Sequence, residues 1–404
     1  MTASSEPQAP VSLPVIGLAA LTHGAYSGVD MQPVWNGLLT RVRNNAYDVG
    51  ALMDMAIILQ LTGQREQGLE AQRHALAQHR VYERAGPEGG LRLLAFVAPG
   101  DFMTNTPLDF LLEGSNITLI ELYMGAGEPL PAIPEHDVAM VAIGESDSSR
   151  QLLEGLGPML ARWPKPVLNR NVKAIAAMTR DEVSALFADS QHVLSPRTAR
   201  VSIGALERVA AGEPLVAPLA GMSWPWVVRP VGSHAGTQLE KIDGPEALGV
   251  YLKGLDATEA FVAPFVDYSG PDGLFRKYRV AVIDGKAYLS HLAISERWMV
   301  HYLNAGMDES LAKREEEAAA MASFDEGFAA RHADALKDMS ERFGLDYFAI
   351  DCGETPDGKL LLFEADVAMI IHSMDEPELY PYKGPQMKKL FAAFQAMLDR
   401  AAKA

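Results

Sequence analysis

Cysteine is almost absent, with Cys352 the single one in 404 residues. One thiol permits no internal disulfide and points to a reducing compartment. Its place between Asp351 and Gly353 on an apolar stretch marks it as a buried bystander rather than a nucleophile. Cations are scarce as well: 35 Lys and Arg stand against 52 Asp and Glu, a formal charge of −17. Sequence-independent nucleic-acid binding needs phosphate-neutralising side chains and is excluded, whereas a local basic pocket for a small phosphate ligand is not. No apolar run is long enough to span a bilayer. The stretch from Val11 to Ala25 contains Pro14 and His23 and follows no Lys or Arg, which argues against a signal peptide. A cytoplasmic protein without membrane or nucleic-acid partners is expected.

What is present is an ordinary globular composition, 48% hydrophobic and 22% charged, in a chain too long for one core. Residues 1–14 read as a disordered leader. Over 15–88 the pattern is helical: Ala51, Leu52, Met55, Ile58 and Leu59 recur at helical spacing, Gly63 breaks the run, and a second helix carries Leu69, Leu76 and Tyr82. Helix, glycine turn and helix over Asp48–Glu83 resemble one tetratricopeptide unit, although an ordinary helical hairpin fits the same letters. Such a segment would offer a groove to a protein or peptide partner, and a homodimer is the expected assembly. Gly86–Gly90 reads as a linker. Beyond it, apolar runs at Leu91–Ala98, Ile117–Tyr123 and Val138–Ile143 alternate with helical patterns, predicting a small α/β domain over 89–190. Asp101, Asn105, Glu145 and Ser146 stand at its strand ends, where ligands tend to sit in open α/β sheets. Residues 191–404 read as α+β, so the fold class is α/β plus α+β behind a helical start.

The chemistry concentrates near the C-terminus. Strands are predicted at Tyr347–Cys352 and Lys359–Ala365, joined through Pro356-Asp357-Gly358. Glu364 and Asp366 are two apart and share a face, which Asp351 on the paired strand can reach. Carboxylates converging from apolar strands repel one another unless a cation neutralises them. Hard oxygen ligands of this kind suit Mg²⁺, held together with substrate phosphates.

Upstream stand segments suited to a nucleotide. Arg229 ends an apolar strand that runs into Gly232, Ser233 and Gly236, a loop whose amides can approach an anion. The strand Ala260–Val266 has an edge that can hold a flat base near Phe265 and Val266, and Asp267 can take a ribose hydroxyl. Plain core strand and plain turn remain the alternatives for these two. Phe275–Lys286 is a basic strand with an Asp-Gly turn; alternation places Lys277 and Arg279 on one face and Arg276 on the other. Arg297 and His301 follow it. Arg170, His372 and Ser373 join Arg297 and His301 as candidates for a substrate face.

In this order the segments resemble the ATP-grasp superfamily of ATP-dependent ligases over roughly residues 90–400. The spacing of Asp351, Glu364 and Asp366 is similar to that of the metal ligands in its D-alanine–D-alanine ligase branch. The Lys277–Gly285 strand is similar to one in bacterial glutathione synthetase. The resemblance implies that 89–190 is the domain preceding the grasp and 191–404 the grasp itself, with ATP and Mg²⁺ as cofactors. It also implies that Val266 meets adenine and that Arg279 meets the transferred phosphate. The activity implied is carboxylate–amine ligation through an acyl-phosphate, on small-molecule, amino-acid or peptide substrates, with release of ADP and phosphate. Lys277, Arg279, Arg297 and His301 would be its catalytic groups. Two positions depart from the pattern: Arg229-Pro230 where Lys-Pro is usual, and Asp366 where Asn is usual. A phosphotransferase on the same fold, or a helical-repeat binding protein with a regulatory nucleotide domain, are the rival readings.

Overall fold

The computed structural model describes residues 12–125, 127–233 and 236–403, which form two compact units. Most of the expected leader lies outside the described residues, but Leu13–Pro14 is a short strand rather than a free tail. The first unit comprises residues 1–173, 367–376 and 387–404; the second comprises 174–366 and 377–386. The expected boundary near 88 is therefore not a boundary between compact units, and the chain returns to the first unit after Asp366.

In the first unit, strand β1 (Leu13–Pro14) leads to helices α1 (Leu18–Tyr26), α2 (Gln32–Asn44), α3 (Val49–Leu61) and α4 (Arg65–Leu76). Asp48 caps α3 by accepting from the Ala51 amide at 3.1 Å, which fixes its start. The predicted second helix stops at Leu76, and Tyr82 lies instead on strand β2 (Val81–Arg84). Then come β3 (Arg92–Val97), α5 (Leu108–Leu111), β4 (Thr118–Tyr123), β5 (Val138–Val141), α6 (Asp147–Leu160), β6 (Val167–Leu168) and α7 (Val172–Ala176). The sheet order is β1-β2-β4-β3-β5-β6, parallel except between β2 and β4. Helical segment and α/β segment thus share one sheet. The Gly86–Gly90 stretch is no loose linker, since a Cβ on Gly90 would stand 1.8 Å from the Asn116 carbonyl oxygen. The strand-end residues have structural duties. Asn105 bonds Ala98 through both amide atoms at 2.8 Å, Asp101 holds Arg65, and Ser146 caps α6.

The second unit holds two antiparallel sheets. After α8 (Arg180–Leu186), β7 (Val193–Leu194), β8 (Ala199–Ser202) and α9 (Ile203–Ala210) come β9 (Trp226–Pro230), β10 (Glu240–Ile242), α10 (Pro245–Leu252) and β11 (Glu259–Pro264). The smaller sheet, β10-β9-β11-β8, buries Trp226, Val228, Ala260 and Val262 against α9 and α10. The larger is β13-β12-β14-β15-β7, made of β12 (Phe275–Ile283), β13 (Lys286–Ser295), β14 (Tyr347–Glu354), β15 (Leu360–Asp366) and β7; only the β15–β7 pair is parallel. Helices α11 (Leu311–Ala322), α12 (Phe328–Arg331) and α13 (Ala333–Phe343) lie between β13 and β14, and α14 (Lys383–Ala402), which belongs to the first unit from Met387 on, closes the chain. The fold class is α/β together with α+β. Among the described residues no helix is long and apolar enough to cross a membrane.

The first unit also buries acids that serve the fold. Asp54 accepts from the Ile16 amide at 3.0 Å and the Gly17 amide at 3.2 Å, and Asp109 accepts from the Ala19 amide at 2.6 Å and pairs with Arg84. Burial pushes the Asp54 carboxyl up to about 6. The same effect, reinforced by Asp109, takes Glu121 on β4 up to about 7. A carboxyl raised in the folded state contributes stability at low pH that is lost as pH rises through its folded value. Glu121→Gln, which keeps the shape without the charge, should therefore raise the thermal midpoint at pH 8 but leave it nearly unchanged at pH 4, a gain on the order of 3 kcal/mol. Equal shifts at both pH values in thermal melts would rule out this source.

Candidate functional site

Register builds the site. Arg279 lies directly opposite Asp351 across β12 and β14, Asp351 lies opposite Glu364 across β14 and β15, and Ala349 lies opposite Asp366. Opposed residues share a face of the sheet, so one face carries Arg279, Lys277 two residues earlier, and all three carboxylates. His291 of β13, opposite Arg279, joins them. Two ladders slip at this level: the β12–β13 pairing shifts after Arg279 and the β14–β15 pairing after Asp351. Bulges re-aim side chains and recur beside functional sites.

The carboxylates are not left facing one another. Asp351, 4% exposed, accepts from Lys277 Nζ at 2.9 Å and from Arg279 Nε at 2.8 Å and Nη2 at 3.0 Å. Burial alone would raise this carboxyl, but Arg279 and Lys277 win and hold it well below the usual carboxylate range. The same partnership, against burial, raises the Arg279 guanidinium. Glu364 pairs with Arg180 at 2.5 Å and is likewise lowered, burial being overcome by Arg180 and then Arg229. Arg276 points away, as alternation requires, and pairs with Asp272 and Glu316.

Arg229 is the unbalanced member. Arg229 is half-buried, and among the described residues its hydrogen bonds run to the Ser233 hydroxyl (3.2 Å) and the Ser233 carbonyl, both neutral. Burial first, and then the neighbouring Arg180 charge, pull it down to about 10. A buried cation without a carboxylate at its own nitrogens is costly unless an anion completes it. The loop beyond turns at Gly232 (φ 76°) and Gly236 (φ 72°); a Cβ on Gly236 would approach Met299 Sδ to 3.0 Å. His234 and Ala235 lie outside the described residues.

Met299 leads to a cleft of about 490 Å³ between the two sheets, lined by Lys241, Phe265, Phe275, Trp298 and Met299. The Trp298 and Phe265 rings meet edge to face at 5.6 Å, and Lys241 Nζ stands 4.2 Å above the Phe265 ring. Phe265, Val266 and Asp267 follow the end of β11; the Phe265 amide is taken by Pro225, and Asp267 is exposed with its carboxylate on the Ser269 amide at 2.9 Å. Arg297 is exposed and reaches the same cleft. His301 accepts the Leu303 amide on Nδ1 at 3.3 Å; burial, then Lys277 and Arg279, lower its pKa. A groove of about 620 Å³ at the Asp284-Gly285 turn, at the other end of β12, holds none of these groups.

The side-chain types suit a divalent cation better than their present pairing does. Both Asp351 oxygens and one Glu364 oxygen are engaged by cations, and among the described residues no three His, Cys, Asp or Glu side chains are grouped as they would be around a metal ion. The expectation of three open carboxylates is therefore not met. Arg170, His372 and Ser373 belong to the first unit, where Arg170 is exposed, His372 packs 6.2 Å from the Phe110 ring and Ser373 donates to Glu113 at 2.6 Å.

Sequence reasoning missed Arg180 and Lys241. Arg180 had one available signal: it opens α8, where the positive end of the helix dipole disfavours a cation, so its presence asks for a reason.

No protein-family model matches the chain, and no curated protein matches it. Among solved structures, the chain is similar to a RimK domain protein ATP-grasp from Sphaerobacter thermophilus at 15% identity and TM-score 0.42, covering 75% of this chain and 98% of that one. It is similar to D-alanine–D-alanine ligase from Bacillus anthracis complexed with ATP at 13% identity and TM-score 0.43, covering 78% and 98%. A third is VanG D-Ala:D-Ser ligase from Enterococcus faecalis, at 11% identity and TM-score 0.46, covering 76% and 99%. No residue role is carried over from likenesses this distant.

Asp351→Asn should leave Lys277 and Arg279 buried without their counter-charge and cost about 3–5 kcal/mol in urea unfolding. The depressed carboxyl of Asp351 stabilises the fold above its ordinary unfolded value and stops doing so as pH falls, so the wild-type excess over the variant should shrink below about pH 4. A variant as stable as wild type at pH 7 would contradict the ion-pair account.

Proposed function

We propose that the second unit is an ATP-dependent carboxylate–amine ligase that works through an acyl-phosphate. The observation that carries this is Arg229: a half-buried guanidinium, bonded to neutral oxygens and with the Arg180 charge beside it. Base in the cleft, phosphates at Gly232, Ser233 and Gly236, and terminal phosphate toward Arg180 and Arg229 is the order in which these groups suit a nucleoside triphosphate. Lys241 and Phe265 would flank the base, Val266 would offer main-chain groups and Asp267 a ribose contact.

Phosphoryl transfer asks a protein for positioning and charge neutralisation more than for a covalent nucleophile. An acid substrate's oxygen attacks the γ-phosphorus, the bond to the β-phosphate oxygen breaks, and ADP leaves. The amine then forms a C–N bond while the C–O bond to phosphate breaks. Lys277 and Arg279, held in place by Asp351, would stabilise the charge that builds on oxygen in both steps. His301, whose lowered pKa keeps it neutral and whose Nδ1 is occupied, would accept the amine proton on Nε2. Magnesium is the second proposed cofactor: Glu364 and Asp366 would hold it, on the sheet face they share with Asp351, which fixes Lys277 and Arg279. When bound, it would neutralise phosphate charge. The buried, unpaired thiol of Cys352 accords with a cytoplasmic setting.

Incubation with ATP, magnesium and panels of acids and amines should release ADP and phosphate and give an amide. A stable phosphorylated product in place of the amide would instead identify a phosphotransferase. Arg229→Gln should weaken ATP binding in calorimetry by roughly 10- to 100-fold, and Glu364→Gln should abolish turnover while the protein stays folded. Unchanged ATP affinity in Arg229→Gln would remove the basis of the proposal.

A further inference from the structure

The loop after β13 carries Arg297, Trp298, Met299 and His301, then closes in a 3-10 turn, Tyr302–Asn304. The Tyr268 hydroxyl donates to the Trp298 carbonyl at one end of this loop, and Lys313 donates to Glu296 and the Ala305 carbonyl at its two flanks. At Tyr302 the loop is fastened by a buried polar cluster that the chemistry above does not use. Glu317 of α11 is 0% exposed. Its carboxylate accepts from the Leu292 amide of β13 at 3.0 Å, from the Tyr302 hydroxyl at 3.0 Å and from the Tyr382 hydroxyl at 2.7 Å. Lys383, 3% exposed at the start of α14, brings Nζ to 3.5 Å from Glu317. Lys383 also donates to the Tyr302 hydroxyl and stands 4.0 Å from the Tyr302 ring centre and 4.6 Å from that of Tyr380. The Tyr302 ring packs 4.7 Å from the His291 ring, and His291 is the cross-strand neighbour of Arg279.

A buried ion pair adds little net stability, but breaking it is expensive, so it holds one arrangement against alternatives. Of the two hydroxyls that donate to Glu317, that of Tyr302 also accepts from Lys383. That hydroxyl belongs to the residue immediately after His301. We propose that Glu317 and Lys383, acting through Tyr302, are positioning residues that hold the 296–304 loop in register with Lys277 and Arg279, so that His301 meets the incoming amine. The functional half rests on the ligase reading; the ordering of the loop does not.

The test uses the full chain. Tyr302→Phe keeps the ring and its packing on Lys383 and His291 but removes the hydroxyl, and Glu317→Gln removes the charge. Hydrogen exchange of amides 297–305 should quicken about tenfold in Tyr302→Phe, while amides of β12 and β14 keep their rates. With an amine substrate, kcat should fall about tenfold or more and the amine KM rise, with the KM for ATP within about twofold of wild type. Unchanged loop exchange in Tyr302→Phe overturns the proposal, and so does a loosened loop with unchanged kcat and amine KM. A loosened loop in a protein whose wild type makes no amide with any acid and amine defeats the ligase reading, while the ordering role of Glu317 and Lys383 is upheld. If Glu317→Gln fails to fold, Tyr302→Phe decides alone.

Discussion

Asp351 sits where β12 and β14 meet, with Arg279 directly across the ladder and Lys277 one step along the same face. Remove the carboxylate, and two cations would face each other in a buried sheet; remove the cations, and a buried acid would face Glu364. Neither half is tolerable alone, because uncompensated charge away from water costs several kcal/mol. The cluster therefore sets the electrostatics of everything beside it. With Asp351 neutralising much of the Lys277 and Arg279 charge, Glu364 is left to Arg180, and Arg229 is left with neutral oxygens. Four cations and three carboxylates surround this face. The surplus falls on Arg229, whose own hydrogen bonds meet neutral oxygens and which the neighbouring Glu364 charge offsets, in a chain whose formal charge is −17. A half-buried, under-compensated arginine of this kind suits the anionic ligand proposed above.

Buried charge in the first unit does different work. Asp54 and Asp109 accept backbone amides at the start of α1, and Arg84 meets Asp109 within the same cluster. These groups finish hydrogen bonds that the fold itself leaves open, as buried polar groups generally do. Glu317 and Lys383 stand between the two cases: they bind backbone and hydroxyl groups of the fold, yet the segment they fasten is the one that carries His301.

Local chemistry made much of this legible in the sequence. The Asp284-Gly285 and Pro356-Asp357-Gly358 turns set the hairpins, and the strands predicted beside them match β12, β14 and β15 closely. Alternation correctly separated Lys277 and Arg279 from Arg276 and put Asp351, Glu364 and Asp366 on one face. What could not be read was pairing across long separations. Arg180 reaches Glu364 from the far end of the domain's sequence, and the Lys383–Glu317 pair joins segments whose own letters do not advertise it. For that reason three facing carboxylates read as a metal cradle, while the fold supplies arginine and lysine to two of them. The strand at Val81–Arg84 was hidden for a similar reason: four residues following a helix take strand form because β1 and β4 lie on either side of them, a tertiary effect that overrides the local pattern.

The central claim is that Arg229 and Arg180 await the phosphates of a nucleotide. It is tested most directly by calorimetric titration of the wild-type protein with adenosine, AMP, ADP and ATP in the presence of magnesium. The account predicts affinity rising with each added phosphate, with ATP tightest and the gain weakened by salt. Adenosine binding as tightly as ATP, or ATP failing to bind at all, would contradict it.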